Sequence, residues 1–346
     1  MSLGQAAIEL RGHCANDAPG FIGAVKTLRA LAGDDLARVN QEIAHNMDTA
    51  AAFIPDVADH LVNAGGKRIR PMLTIAVARA FGYQGDHHVK LAAAVELIHG
   101  ATLLHDDVVD ESALRRGAAT ANTIWGNKES VLVGDYIFSR AFELMVETQN
   151  LTVLDVLSRT SSTIAEGEVM QLTTQRNIDT DFDAYLGVIN AKTAALFAAA
   201  AHVGALISKT APAQDEALRS FGADFGIAYQ LIDDALDYSG TEASLGKQIG
   251  DDFREGKMTL PVVFAVERAD PTERKFWRRV IAEGRCEDGD FQQACEMMER
   301  CDAIADTHIR ARDYAERSIN ALNCAPENSW SNALRGLVES SVTRAF

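Results

Sequence analysis

The stretch HDDVVD carries Asp106, Asp107 and Asp110, and LIDDALD repeats the spacing with Asp233, Asp234 and Asp237. Side chains four apart on a helix share a face about one turn apart. Each run therefore offers a pair of carboxylates with a third acid beside it. Each also closes a long apolar stretch of helical periodicity. The C-terminal end of a helix favours cations, so aspartates there are electrostatically misplaced unless something positive joins them. One D-D-x-x-D alone reads as a solvated helix end; two in one chain point further. Set face to face, two such charges about 4 Å apart repel by about 4 kcal/mol at an effective dielectric near 20. Six carboxylates around one cavity therefore call for cations. Oxygen donors without a thiolate or paired imidazoles point to Mg²⁺, with Mn²⁺ as a substitute.

Mg²⁺ held by few carboxylates usually completes its shell with water and substrate phosphates. The basic residues suggest the same partner. GGKRIRP puts Lys67, Arg68 and Arg70 at the mouth of a helix. Lys67 and Arg70 are three apart, spaced to share a face and clamp one anion. Arg115 and Arg116 follow the first acidic run, Lys192 and Thr193 head an apolar helix, and Lys247 and Lys257 follow the second acidic run. His99 lies two turns before Asp106 on the same face. Each cation alone reads as a solvated surface charge. Around metal-binding acids they suit a diphosphate, gripped by metal on one side and by Lys and Arg on the other. Their number suits two diphosphates.

The elements that position these residues read as helices. Only seven prolines interrupt 346 residues, and Ala and Leu are prominent. Helical periodicity covers about residues 34–65 as one long helix or a pair, then a helix opening near Pro71 and closing at Gly82, then His87 to Val109. Further stretches cover about 129–149, 150–174, 181–208 and 212–238. A loop, SGTEASLGKQIGDDFREGKMTLP, follows the second acidic run, and the rest is again helical in pattern. No series of alternating strands is evident. The expectation is one all-α domain over residues 1–346, long helices packed around a central one. Net charge is −16, from 33 basic and 49 acidic residues, which argues against nucleic-acid binding. Cys14, Cys286, Cys295, Cys301 and Cys324 are scattered without metal-site spacing, as expected of reduced thiols in a cytoplasm. No signal peptide opens the chain, and the most apolar run, 194–207, is too short to span a bilayer and carries His202.

GGKRIRP, IHGATLLHDDVVDESALRRG, GEVMQL, KTAALF, YQLIDDALD and LGKQIGDDFREGKMTLP, in this order and spacing, resemble the trans-isoprenyl diphosphate synthases, the polyprenyl synthetase family. The motif-bearing resemblance covers about residues 63–262. It implies that Lys67, Arg70 and His99 hold the diphosphate of isopentenyl diphosphate. It implies Mg²⁺ on Asp106 and Asp110, with Asp107 supporting, and a further Mg²⁺ on Asp233, with Asp234 and Asp237 near it. Arg115 would contact the allylic diphosphate and Arg116 the isopentenyl one. Lys192, Thr193, Gln230, Lys247 and Lys257 would line the allylic side. A homodimer is also implied.

The implied chemistry is condensation of isopentenyl diphosphate with an allylic prenyl diphosphate. Ala101 and Thr102, about one turn before Asp106, are small where short-chain relatives carry bulky aromatics. A long product of the octaprenyl to decaprenyl class is therefore expected, with a transient membrane contact for its release. Four alternatives stand beside this reading: a farnesyl or geranylgeranyl synthase, a terpene cyclase, a non-catalytic partner subunit and a metal-buffering helical protein. A cyclase leaves Lys67, Arg70 and His99 without a task, a partner subunit usually loses aspartates from one run, and a buffer leaves the lysines unexplained.

Overall fold

The computed structural model describes residues 20–51, 53–63, 66–115, 117–239 and 249–343; Cys14, Arg116 and Lys247 lie outside them. The first half runs α1 (Phe21–Leu31), α2 (Gly33–Met47), α3 (Phe53–Asn63), α4 (Ile69–Ala80) and α5 (His87–Val109). The stretch read as one helix or a pair before Gly65 is thus the pair α2 and α3. Two strands of two residues each follow, β1 (Leu114–Arg115) and β2 (Ala118–Ala119), paired antiparallel, with no counterpart in the sequence reading. After them come α6 (Ala121–Trp125), α7 (Asn127–Glu147), α8 (Leu151–Thr174), α9 (Phe182–Ile189), α10 (Ala195–Ile207) and α11 (Pro212–Ser239). The chain closes with α12 (Asp251–Glu255), α13 (Leu260–Glu267), α14 (Pro271–Trp277), α15 (Asp290–Arg300), α16 (Ala303–Leu322) and α17 (Ser329–Ser341). The architecture is all-α.

Helix starts follow local chemistry. The Asn150 side chain accepts from the backbone N–H groups of Thr152 and Val153 at 3.1 and 3.3 Å and opens α8. Asp181 does the same for α9, accepting from Ala184 at 2.8 Å. Losing such a cap costs about 1 kcal/mol.

The core forms where small residues let helices close up. α10 is buried almost throughout and packs against α4, α5, α8 and α11. A Cβ on Gly204 would stand 2.7 Å from the Thr74 carbonyl oxygen of α4. The Thr74 hydroxyl bonds the Ala200 carbonyl across the same seam at 2.9 Å. On α11, a Cβ at Gly222 would meet the Phe197 carbonyl oxygen at 2.4 Å, and one at Gly226 would meet Ala194 Cα at 2.7 Å. Gly222, Gly226 and Gln230 repeat every four residues, so the face of α11 that docks on α10 is the face that carries Gln230. α9 and α10 are joined through a π-helical turn, Asn190–Ala194, into one continuous helix from Phe182 to Ile207. That helix is long and apolar enough to cross a bilayer, yet most of it is buried inside the protein.

Candidate active site

The first acidic run divides by environment. Asp106 and Asp110 keep partly open carboxylates at the end of α5. Asp107 is turned inward and buried. Arg115 on β1 meets it twice, with Nε 2.9 Å and Nη2 2.7 Å from Oδ1. Burial pushes the Asp107 carboxyl above its ordinary range, and the guanidinium opposes that shift. The short hairpin brings Arg115 back to α5, and its exit is fixed by polar clasps. The Thr120 hydroxyl bonds the Ser112 carbonyl at 2.7 Å, and Asn122 Nδ2 bonds the Asp107 carbonyl at 3.1 Å.

The second run divides in the same way. Asp233 is half-buried, whereas Asp234 and Asp237 are buried. Asp234 accepts from the Tyr185 hydroxyl at 2.6 Å and from Gln230 Nε2 at 2.8 Å. Burial first, and then the charge of Asp252, raises its carboxyl to about 7. Asp237 accepts from the Asp252 backbone N–H at 3.1 Å.

Lys192 and Thr193 bring the two runs together. They lie within the π-helical turn, not at the head of a helix as the sequence suggested. Successive residues of such a turn point in clearly different directions. Lys192 Nζ accordingly reaches Glu168 Oε2 at 2.5 Å and Asp106 Oδ2 at 3.5 Å, while the Thr193 hydroxyl donates to Gln230 Oε1 at 3.0 Å. Gln230 passes the link to Asp234. Gly167 permits this geometry, since a Cβ there would stand 2.8 Å from the Lys192 amide nitrogen. A second link runs through Lys257, whose Nζ lies 3.3 Å from Asp110 Oδ2 and 2.6 Å from Glu255. Burial works against its charge, but Asp252, Asp110 and Glu255 outweigh that and hold the ammonium above its usual value.

Lys67 and Arg70 do not share a helical face. Lys67 precedes α4, and Arg68 between them is left-handed at φ 53°. That turn, not helical periodicity, sets their relation. Arg70 Nη1 lies 3.2 Å from His99 Nε2, and its guanidinium sits 4.5 Å from the centroid of the Phe197 ring. Ala101 is wholly buried, and half-buried Thr102 donates its hydroxyl to the His99 carbonyl at 2.8 Å.

Glu168, Tyr185 and Asp252 were given no role in the sequence reading. Glu168 stood in GEVMQL and Asp252 in GDDFREGK, so their motifs were visible without their partners. Burial and the neighbouring charge of Asp106 lift the Glu168 carboxyl to about 7, and its Oε1 is buried with no hydrogen-bond donor. An oxygen-rich pocket with an unsatisfied carboxylate oxygen and no thiolate fits a hard divalent cation. Among the described residues no three acidic, imidazole or thiol groups converge as a ready-made cage. Mg²⁺ that is completed by phosphate oxygens does not need one.

The sequence model of the polyprenyl synthetase family matches residues 51–298. The chain belongs to the polyprenyl synthetase family. Polyprenyl synthetases are prenyltransferases that work with divalent metal ions. This member is 42% identical over 320 residues to octaprenyl diphosphate synthase of Escherichia coli, covering 92% of this chain and 99% of that one. A decaprenyl diphosphate synthase structure from Rhodobacter capsulatus superposes with a TM-score of 0.90 at 48% identity, covering 93% of this chain and 99% of its own. A polyprenyl synthase from Caulobacter crescentus, complexed with calcium and isoprenyl diphosphate, superposes with a TM-score of 0.89 at 50% identity, covering 92% of this chain and 97% of its own.

Proposed function

We propose that this polyprenyl synthetase adds isopentenyl units head-to-tail to an allylic diphosphate, making an all-trans product of the octaprenyl to decaprenyl class. The observation that carries the reading is the tie between the acidic runs, Asp106 to Lys192 and Thr193 through Gln230 to Asp234. The long-chain relatives and the small residues Ala101 and Thr102 support the product class.

Asp106, Asp110 and Asp233 would hold Mg²⁺, two or three ions in all, with Mn²⁺ as a substitute. The buried acids Asp107, Asp234 and Asp237 would orient them and attract the ions. Bound there, Mg²⁺ would compensate the diphosphate charge as the allylic carbon–oxygen bond breaks. Lys192 and Lys257 would hold the allylic diphosphate, joined by Arg115, while Lys67, Arg70 and His99 would hold isopentenyl diphosphate. Arg116 and Lys247 are proposed as further diphosphate contacts on sequence alone.

The allylic C1–O pair leaves with the diphosphate, and the double bond of isopentenyl diphosphate attacks C1. A proton then leaves C2 of the isopentenyl unit to form the new double bond, and the released diphosphate accepts it. Since Thr193 donates its proton to Gln230, its oxygen lone pairs remain for the developing cation. The apolar walls of α5 and α10 exclude the water that would quench it.

The whole chain, 1–346, is proposed to act as one domain in the cytoplasm. The four described cysteines are free. Exposed Val131, Leu132 and Val146 on α7, with Leu151, Val169 and Leu172 on α8, support a homodimer. Product release would involve brief contact with a membrane.

The deciding experiment incubates the protein with Mg²⁺, labelled isopentenyl diphosphate and geranyl or farnesyl diphosphate, then separates the products by chain length. Products of eight to ten isoprene units are expected. Products that stop at farnesyl or geranylgeranyl length would return the short-chain reading, and no incorporation at all would remove the function.

A further inference from the structure

Helix α1, the first among the described residues, precedes the family-matched segment, which begins at residue 51. Its buried face, Phe21, Val25 and Leu28, seats it on α4 and α17. From that seat two side chains reach the loop that carries Lys67. Arg29 Nη2 donates to the carbonyl oxygens of Gly66 at 3.1 Å and Lys67 at 3.3 Å. A carbonyl held this way is one not presented to an incoming anion. The Lys67 ammonium lies 5.2 Å from the centroid of the Phe21 ring and 5.9 Å from that of Tyr229. It also lies 3.4 Å from the Tyr229 hydroxyl.

The chemistry of these partners matters. Aromatic faces attract an ammonium without neutralising it. Lysine carries a flexible stem with high rotamer entropy, so holding its head in place before substrate arrives raises affinity by lowering the ordering cost. The loop itself needs support, because Arg68 adopts a left-handed conformation that is unfavourable for a residue with a side chain. An ion pair from Arg68 to Glu96 at 2.5 Å holds the far side of that turn. Arg29 holds the near side.

We propose that Arg29 and Phe21 are positioning residues for Lys67, so that a helix outside the family-matched segment sets the affinity for isopentenyl diphosphate. This rests on the reading of Lys67 as a ligand of that diphosphate.

The test is steady-state kinetics with each substrate varied in turn, on Arg29→Ala, Arg29→Lys, Phe21→Leu and Lys67→Ala. Phe21→Leu keeps the apolar burial and removes the ring face. Loss of a hydrogen-bond clasp, or of one aromatic face under an ammonium, corresponds to about a three- to tenfold effect. Arg29→Ala and Phe21→Leu should therefore raise KM for isopentenyl diphosphate by that factor, with kcat and KM for the allylic substrate within about twofold. Arg29→Lys should recover part of the loss. An unchanged KM for isopentenyl diphosphate in both α1 variants, or an equal rise for both substrates, would overturn the proposal. Lys67→Ala separates the two levels. If it raises KM for isopentenyl diphosphate while the α1 variants do not, only the positioning role fails; if it leaves that KM unchanged, the assignment of Lys67 fails and takes the positioning role with it.

Discussion

Lys257 Nζ stands 3.3 Å from Asp110 Oδ2, although 147 residues of chain separate them. The same lysine donates its backbone N–H to the Asp252 carbonyl at 2.9 Å, and Asp252 in turn bonds Asp237. The ammonium thus meets the first acidic run while the lysine backbone is tied through Asp252 to the second. Replacing Lys257 by Ala is expected to lower kcat/KM for the allylic substrate by about a hundred- to a thousandfold, the range for loss of one anion-stabilising donor. Lys257→Arg should lose less. Initial rates at varied allylic diphosphate check this, and an unaltered kcat/KM would remove Lys257 from the site.

Glu168 and Lys192 form a second test. Their contact at 2.5 Å is part-buried, so the two residues should act as a unit. Glu168→Gln and Lys192→Ala should each reduce turnover. The double variant should be little worse than Lys192→Ala, with a coupling of about 1–3 kcal/mol. Additive losses in the four-corner comparison would mean that Glu168 acts elsewhere.

Ala101 has no exposed surface. Ala101→Phe places a ring at that depth and should shorten the product while sparing turnover of short allylic primers. Overpacking of this kind also costs about 1–3 kcal/mol of stability. Chromatography of the chains distinguishes the outcomes: a destabilised enzyme that still makes its full-length product would show that Ala101 only packs against a neighbouring helix.

Chelation should separate function from fold. Lys192 and Lys257 already pair with Asp106 and Asp110. Stripping divalent ions should therefore abolish prenyl transfer yet leave helical circular dichroism intact. Mg²⁺ should restore activity. Undiminished turnover after exhaustive chelation would contradict the metal assignment.

A pH effect on stability arises away from the site. Asp35 receives Arg79 through two contacts of 2.8 Å, and His88 Nε2 lies 2.9 Å from the same carboxylate. Burial opposes the Asp35 charge, but Arg79 and His88 outweigh it and hold the carboxyl below its usual value. For His88 the cause is the reverse: burial lowers the imidazole below its usual value, against the pull of Asp35. Both groups are depressed, so the unfolded chain takes up protons first as pH falls. Stability should decline from about pH 6.5 through His88, and further below about pH 4 through Asp35. Urea midpoints from pH 8 to 3 check this, and His88→Gln should flatten the upper part of the curve.

Much of this was legible in the chain. The helices α4, α5, α8 and α11 follow from apolar periodicity, caps and glycine stops, all of which are local. The paired aspartates and the GGKRIRP run announce themselves by residue type and spacing. The burial that divides each acidic run was not legible in residue type or spacing, because Asp107 and Asp234 differ from their neighbours in what the fold packs against them, Arg115 on the hairpin and Tyr185 on α9. The short hairpin was missed because two residues per strand carry no periodicity.

The sequence by itself determined the all-α class, the acids, the cations and hence the kind of ligand they suit. Those follow from side-chain chemistry and from periodicities of a few residues. Only the tertiary structure decided that Lys192 faces Asp106 while Thr193 faces Gln230, that Lys257 closes on Asp110, and that α1 reaches Lys67. Such contacts depend on how closely helices pack, and that spacing is set by glycines such as Gly167 and Gly226 whose neighbours lie far away along the chain.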